Sequence, residues 1–210
     1  ILTSSCQDLL TQSEGEREGY VEAARRRLQE LTDELRVQLP VYVMVTKCDM
    51  VPGFTDYFDD LSQEGRAQVW GVTFPYDQTL NGAAPGAIAG EFDALMRRLN
   101  ERVFERVEQE RGGRRRAAVF AFPQQMAALR DLIAAFVSDV FAASRRDQQI
   151  LLRGVYLTSG TQDGTQIDRL LGALSRRFGV AAEAVSAPAA GKGKAYFVER
   201  LLKHVVIAES

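Results

Sequence analysis

The sequence is poor in the two residue types that most often build metal and nucleophile sites. One histidine, His204, and two cysteines, Cys6 and Cys48, serve 210 residues. No group of them has metal-ligand spacing, and a cysteine nucleophile would have no base near it in sequence. Two cysteines make no disulfide framework, so nothing requires an oxidising compartment. His204 reads as a residue of an amphipathic helix, and Cys48, although it follows Lys47, reads as structural. An excess of charge of one sign is also lacking: the formal net charge is -2, which gives no reason to expect nucleic acid or an anionic membrane as a partner. No apolar run approaches the length of a membrane span, and no secretory signal is expected. Ile1 falls inside a pattern already under way, as expected of a fragment whose parent continues upstream.

What is present is ordinary folded material, 46% hydrophobic and 26% charged. Its length suits one sizeable core with at most a small helical addition. Ile1 to Thr3 reads as the tail of a strand, followed by a polar stretch through Gly19. Ala24, Leu28, Leu31 and Leu35 then recur at helical spacing, with an end expected near Leu39 because Pro40 disfavours helix before it. Val41 to Val45 is apolar at every position, the pattern of a strand covered on both faces. Thr55 to Gln68 reads as a short helical region, Trp70 to Pro75 as a brief extended piece, and Asn81 to Gly90 as a loop. A helix from Glu91 to Gln109 follows, with Phe92, Leu95, Leu99 and Val103 inward. Ala117 to Phe122 reads as a strand stopped by Pro123, and Met126, Leu129, Ile133, Phe136 and Val140 form the stripe of another helix. Leu151 to Leu157 is a strand broken by Gly154. Thr165 and Asp168 look like the capping box of a helix ending at Gly179.

These elements imply an α/β fold, a parallel sheet flanked by helices. Residues 1–180 are assigned to it, 181–193 to a flexible linker and 194–210 to an amphipathic helix. The basic group Arg111, Arg114, Arg115 and Arg116 reads as a solvated loop or as a contact to a partner or phospholipid. Trp70 reads as packing.

The segment most suggestive of chemistry is Thr46-Lys47-Cys48-Asp49, directly after the buried strand and so at its carboxyl end, the edge where open parallel sheets bind ligands. Thr158-Ser159-Gly160-Thr161 follows the second strand; if the two strands run parallel, both loops open on one edge. Thr46, Lys47, Asp49, Thr158, Ser159 and Gly160 are therefore the candidate ligand-binding residues, with no catalytic or metal-ligating residue assigned. The aliphatic stem of Lys47 could cover a purine face. The Asp49 carboxylate could accept from guanine's ring N–H and exocyclic amine, and Gly160 would let the backbone approach the base. The same residues are also compatible with a solvated loop. A phosphate cradle of the Gly-Lys-Ser/Thr type is lacking: Gly191-Lys192 and Gly193-Lys194 have no preceding strand and no following Ser or Thr, and read as linker.

Several stretches together carry a family resemblance. Leu39-Pro40-Val41-Tyr42-Val43-Met44-Val45-Thr46-Lys47-Cys48-Asp49 with Pro52-Gly53-Phe54, Gln68 to Pro75, Phe120-Ala121-Phe122-Pro123-Gln124-Gln125, Leu152 to Gln162 and Gly191 to Phe197 resemble the cytoplasmic segment of the IcmF/TssM proteins of bacterial type VI secretion. The resemblance implies a partial P-loop NTPase-like (GTPase-like) domain with a helical C-terminal extension, on the cytoplasmic face of the inner membrane within a larger membrane protein. It implies TssL, TssJ and cytoplasmic baseplate proteins as partners of that parent. It also implies a Walker A loop upstream of Ile1 in members that keep one. A purine nucleoside triphosphate with Mg2+ would then be the cofactor of the parent, with none tightly bound to this chain. Thr46 stands where ordinary GTPases have asparagine.

Overall fold

A computed structural model describes residues 1–142, 150–160 and 194–207. Strands β1 (Leu2–Ser5), β2 (Pro40–Thr46), β3 (Gly71–Thr73) and β4 (Leu151–Leu157) form one sheet in the order β1-β2-β4-β3. The first three in that order run parallel, while β3 pairs antiparallel with β4. The sheet is therefore mixed, where an all-parallel one was expected, because β3 returns alongside β4 as a three-residue edge strand.

The continuous apolar run of β2 is explained by cover on both sides. Val41, Val43 and Val45 enter the main core, while Tyr42 and Met44 face a smaller cluster with Tyr156 and Leu201. Gly154 does not break β4. The register passes from Val41 opposite Leu152 to Tyr42 opposite Gly154, so Arg153 is an extra residue that flips the alternation. Leu152, Val155 and Leu157 consequently share the main core. A Cβ on Gly154 would lie 2.3 Å from the Tyr156 hydroxyl, so glycine makes room for that ring.

Several helices depart from expectation. The polar stretch before Gly19 is largely helical, as α1 (Cys6–Thr11) and α2 (Glu14–Leu35), the latter opened by a Ser13–Glu16 capping box. Arg36, left-handed at φ 54°, ends α2 three residues before Leu39. The region after β2 holds α3 (Phe54–Phe58) and α4 (Gln63–Ala67), and α5 (Tyr76–Leu80) follows β3. Helix α6 runs from Ala84 to Gln109, absorbing most of the expected loop, because Ala84 and Ile88 continue the buried stripe of Phe92, Met96, Leu99 and Val103.

The largest correction concerns Ala117–Phe122, which belongs to helix α7 (Gly113–Ala127) and not to a strand. Val119, Phe122 and Met126 are buried at helical spacing while Phe120 is exposed. Pro123 sits inside that helix; packing of the buried stripe against α6 and α3 outweighs the one backbone hydrogen bond it removes. Arg114, Arg115 and Arg116 thus lie in the first turns of a helix, while Arg111 precedes it in the short connection from α6. Helix α8 (Arg130–Val140) completes the cover of the valine face.

Instead of one helix from Lys194, the last described stretch begins with β6 (Ala195–Tyr196), then Phe197 in the left-handed region, and a π-helical segment over Leu201–Val206. Tyr196 and Phe197 enter an aromatic cluster with Phe54, Phe58 and Trp70, which explains why this stretch is not a solvent-facing helix. His204 is exposed. The expected linker 181–193 and the helix after Thr165 lie outside the described residues.

Candidate functional site

The parallel pairing of β2 and β4 carries both chain segments to the same edge and holds them there. Thr158 N–H donates to Val45 O at 2.8 Å, and Cys48 N–H donates to Thr158 O at 3.1 Å. Thr158 is buried and its hydroxyl also reaches Val45 O, at 3.3 Å. Thr158 therefore fastens one loop to the other and offers little to a ligand.

Between these loops the chain turns sharply. Thr46 closes β2 and donates its hydroxyl to Ser4 O at 3.3 Å. Lys47 adopts the left-handed region, φ 57°, and a single 3₁₀ turn over Cys48–Met50 follows. That backbone is uncommon for a non-glycine residue. It lets Lys47 and Asp49 stay half-buried at the edge while Cys48 and Met50 point into the core. Gly53, at φ 84°, then starts α3 directly against α7.

Asp49 and Ser159 meet. The Ser159 hydroxyl, fully buried, donates to Asp49 Oδ1 at 2.5 Å. A carboxylate offers about four acceptor positions; this bond fixes its plane, and the carboxylate has no other partner among the described residues. Lys47 has none either. Gly160 is exposed, and a Cβ built on it would meet none of the described residues within 4 Å. The described fold thus does not require glycine there, in contrast to Gly53 and Gly71.

Part of the surroundings was not legible in the sequence. β5 (Ser159–Gly160) pairs antiparallel with β6, Ser159 opposite Tyr196 and Gly160 opposite Ala195, so backbone groups of the loop are engaged in a ladder. Tyr196 is buried with its hydroxyl unpaired among the described residues, and the Arg66 guanidinium lies 5.9 Å from its ring centroid. Burial pushes the Tyr196 hydroxyl up, Arg66 opposes this, and Asp59 and Asp49 add to it. Cys6 and Cys48, distant in sequence, bring their sulfurs to 3.4 Å. Tyr196-Phe197 beside a Gly-Lys-rich stretch was the only available signal for the first; nothing local signals the second.

Chemically, the arrangement offers an oriented carboxylate with acceptor capacity to spare to a pair of N–H donors. Among the described residues no three His, Cys, Asp or Glu side chains group to hold a metal ion. The sequence has no Gly-Lys-Ser/Thr loop. Residues 1–210 match the IcmF-related N-terminal domain. The chain belongs to the IcmF/TssM family. It is 45% identical over 206 residues to the type VI secretion system component TssM1 of Pseudomonas aeruginosa, an alignment covering 98% of this chain and 19% of that protein. No solved structure matches the chain. Within the described residues of this family member, no helix is long and apolar enough to cross a membrane.

Proposed function

We propose that this chain is the base-recognition part of a P-loop NTPase-like domain in a type VI secretion component. On this reading the parent sits in the inner membrane, with this region on the cytoplasmic side and TssL, TssJ and baseplate proteins as its partners. The observation that carries the nucleotide reading is the Ser159–Asp49 bond at 2.5 Å beside the open space over Gly160. It leaves a fixed carboxylate able to accept from two neighbouring N–H groups, as guanine presents them and adenine does not. Lys47 would cover the base with its stem, and Thr46 and Thr158 hold the two loops in place. Phosphates and Mg2+ would be bound by other parts of the parent. Base contacts serve substrate and transition state about equally, so this chain alone should release phosphate from nucleotides only at background rate.

Calorimetric titration of the full-length protein with GTP, ATP and XTP tests this. GTP should bind more tightly than ATP. Asp49→Asn should weaken GTP by about 1–3 kcal/mol, the cost of losing a charged acceptor, and favour XTP, whose oxygen replaces the amine. Equal affinity for all three before and after the change would remove base reading. A second reading, a non-hydrolysing scaffold that docks cytoplasmic secretion proteins, is favoured by Phe104 on α6 and Phe120 on α7, which are 69% and 61% exposed. Nucleotide-independent complex assembly, lost on Phe104→Ser with Phe120→Ser, would support it.

A further inference from the structure

Cys6 and Cys48 are nucleophilic groups that the base-site reading leaves unused. Cys6 is the first residue of α1 and Cys48 the first of the 3₁₀ turn, so each follows a strand end. β1 and β2 stay in parallel register up to Ser5 opposite Thr46, so the chain leaves both strands at one edge and the two side chains fall together. Both thiols are free and fully buried, with Sγ atoms 3.4 Å apart. A disulfide needs a sulfur separation of about 2.05 Å, so the atoms must close by roughly 1.3–1.4 Å. Small rotations of two side chains can supply that. The contact Cys48 would give up, to Val45 O at 3.5 Å, is weak. A metal site is the poorer reading, since no third ligand is grouped with the pair among the described residues.

We infer that Cys6 and Cys48 form a peroxide-sensitive dithiol whose oxidation to a disulfide ties the Thr46–Asp49 turn to the start of α1. Burial raises the Cys48 thiol well above its usual range, with the Cys6 thiol beside it adding to the effect, so Cys48 is protected while the fold is closed and reacts only when the edge opens. Neither sulfur is accessible in the closed fold, and hydrogen peroxide, little larger than water, needs a smaller local opening to reach them than a bulky disulfide reagent does. On local opening of the edge, one sulfur attacks a peroxide oxygen and the O–O bond breaks, leaving a sulfenic acid and water. The second sulfur attacks the sulfenic sulfur and expels hydroxide, which takes the thiol proton as a second water. Two thiols are oxidised by two electrons, and one peroxide is reduced to two waters. The bond would immobilise Cys48, and with it the backbone that carries Lys47 and Asp49. It would also close a loop between positions 42 residues apart, which should raise Tm by roughly 5–10 °C.

The test is hydrogen peroxide treatment of the folded chain, followed by intact mass and a non-reducing peptide map. A loss of two hydrogens, about 2 Da, is expected, with one cross-linked peptide pair joining Cys6 to Cys48 and a Tm rise reversed by dithiothreitol. Since removing a fully buried thiol can loosen the edge by itself, the wild-type mass decides. Cys6→Ala and Cys48→Ala, each abolishing the cross-link, give the second reading. Two titratable thiols surviving the treatment, oxygen added to either cysteine without the cross-link, or a cross-link formed only in denaturant would each overturn the inference. None of these readings involves a nucleotide.

Discussion

Two regions of this molecule gather polar and charged groups, and they treat them oppositely. Between α3, α6 and α7, Arg106 is 2% exposed and saturated: it donates to Tyr57 O and Asp56 O at 2.9 Å, to Gln109 at 2.8 Å and to Glu110 at 3.1 Å, with Asp60 at 3.3 Å. Arg115 reaches Asp59 at 2.8 Å, Asp56 at 3.2 Å and Glu110 at 3.3 Å, and Arg102 pairs with Asp60. At the sheet edge, by contrast, among the described residues Asp49 has one donor, Lys47 has no partner, and nothing crowds Gly160. A buried charge that is fully paired fastens elements together. A charge held in one orientation with acceptor capacity to spare is where a ligand can add something.

Removing the most saturated group should show this most strongly. Arg106→Met leaves Glu110, Asp60 and two backbone carbonyls short of a donor, and should destabilise the fold by about 3–5 kcal/mol. The edge counterpart, Lys47→Ala, should cost no more than about 0.5 kcal/mol, as surface substitutions do. Urea denaturation of the two variants measures both. Similar costs would erase the distinction between the regions.

The two glycines near the edge sharpen the same contrast. Gly53 has φ 84°, and a Cβ there would lie 2.4 Å from Ala118 O, a backbone atom of α7. Gly53→Ala should therefore cost about 2–3 kcal/mol, through a disfavoured backbone and a clash that cannot rotate away. Gly160→Val meets nothing and should leave stability within about 0.5 kcal/mol of wild type. In the full-length protein it should nevertheless weaken guanine-nucleotide binding if the base approaches there. A Gly160→Val protein that binds nucleotide normally would move the base elsewhere.

How much of this was readable depended on whether the signal was local. The strand β2 and its Thr-Lys-x-Asp turn were legible because five apolar residues followed by a polar turn have few alternatives, and the parallel partner β4 carried the same composition. Helix α7 was misread because Ala117–Phe122 is apolar enough for a strand and Pro123 looked like its stop. Val119, Phe122 and Met126 at i, i+3 and i+7 were the better signal, and the burial of α7 against α6 made it count. The pairing of Ser159–Gly160 with Ala195–Tyr196 could not be read, since a two-residue strand has no periodicity and its partner is distant in sequence. The Cys6–Cys48 contact follows only from strand order. Tertiary adjacency, rather than local pattern, made these features.

The smallest expected effect lies inside the saturated region, where two neighbouring carboxylates are pushed in opposite directions. Hydrogen bonds from Arg115 at 2.8 Å and Lys194 at 3.4 Å hold the Asp59 carboxyl below its usual range, against burial. Burial pushes Asp56 up, opposed by Arg115 and helped by Glu110 and Asp59. For Asp59 the folded pKa lies below the unfolded one, so its stabilisation is present above the ordinary carboxylate value, about 4, and is lost as pH falls through the folded pKa. For Asp56 the folded pKa lies above the unfolded one. Its ionised form therefore disfavours folding at neutral pH, and that penalty is relieved as pH falls through the raised value toward about 4. Both groups are over a third exposed, so screening should reduce each contribution to a few tenths of a kcal/mol. Urea denaturation across a pH series should show Asp59→Asn less stable than wild type at neutral pH, with the gap closing below about pH 4. Asp56→Asn should be slightly more stable at neutral pH, with its advantage fading as pH falls through the raised Asp56 value toward about 4. Difference curves of the same sign for both variants would mean that Arg115 and Lys194 do not discriminate between the two carboxylates, and that this network is less tightly organised than its geometry implies.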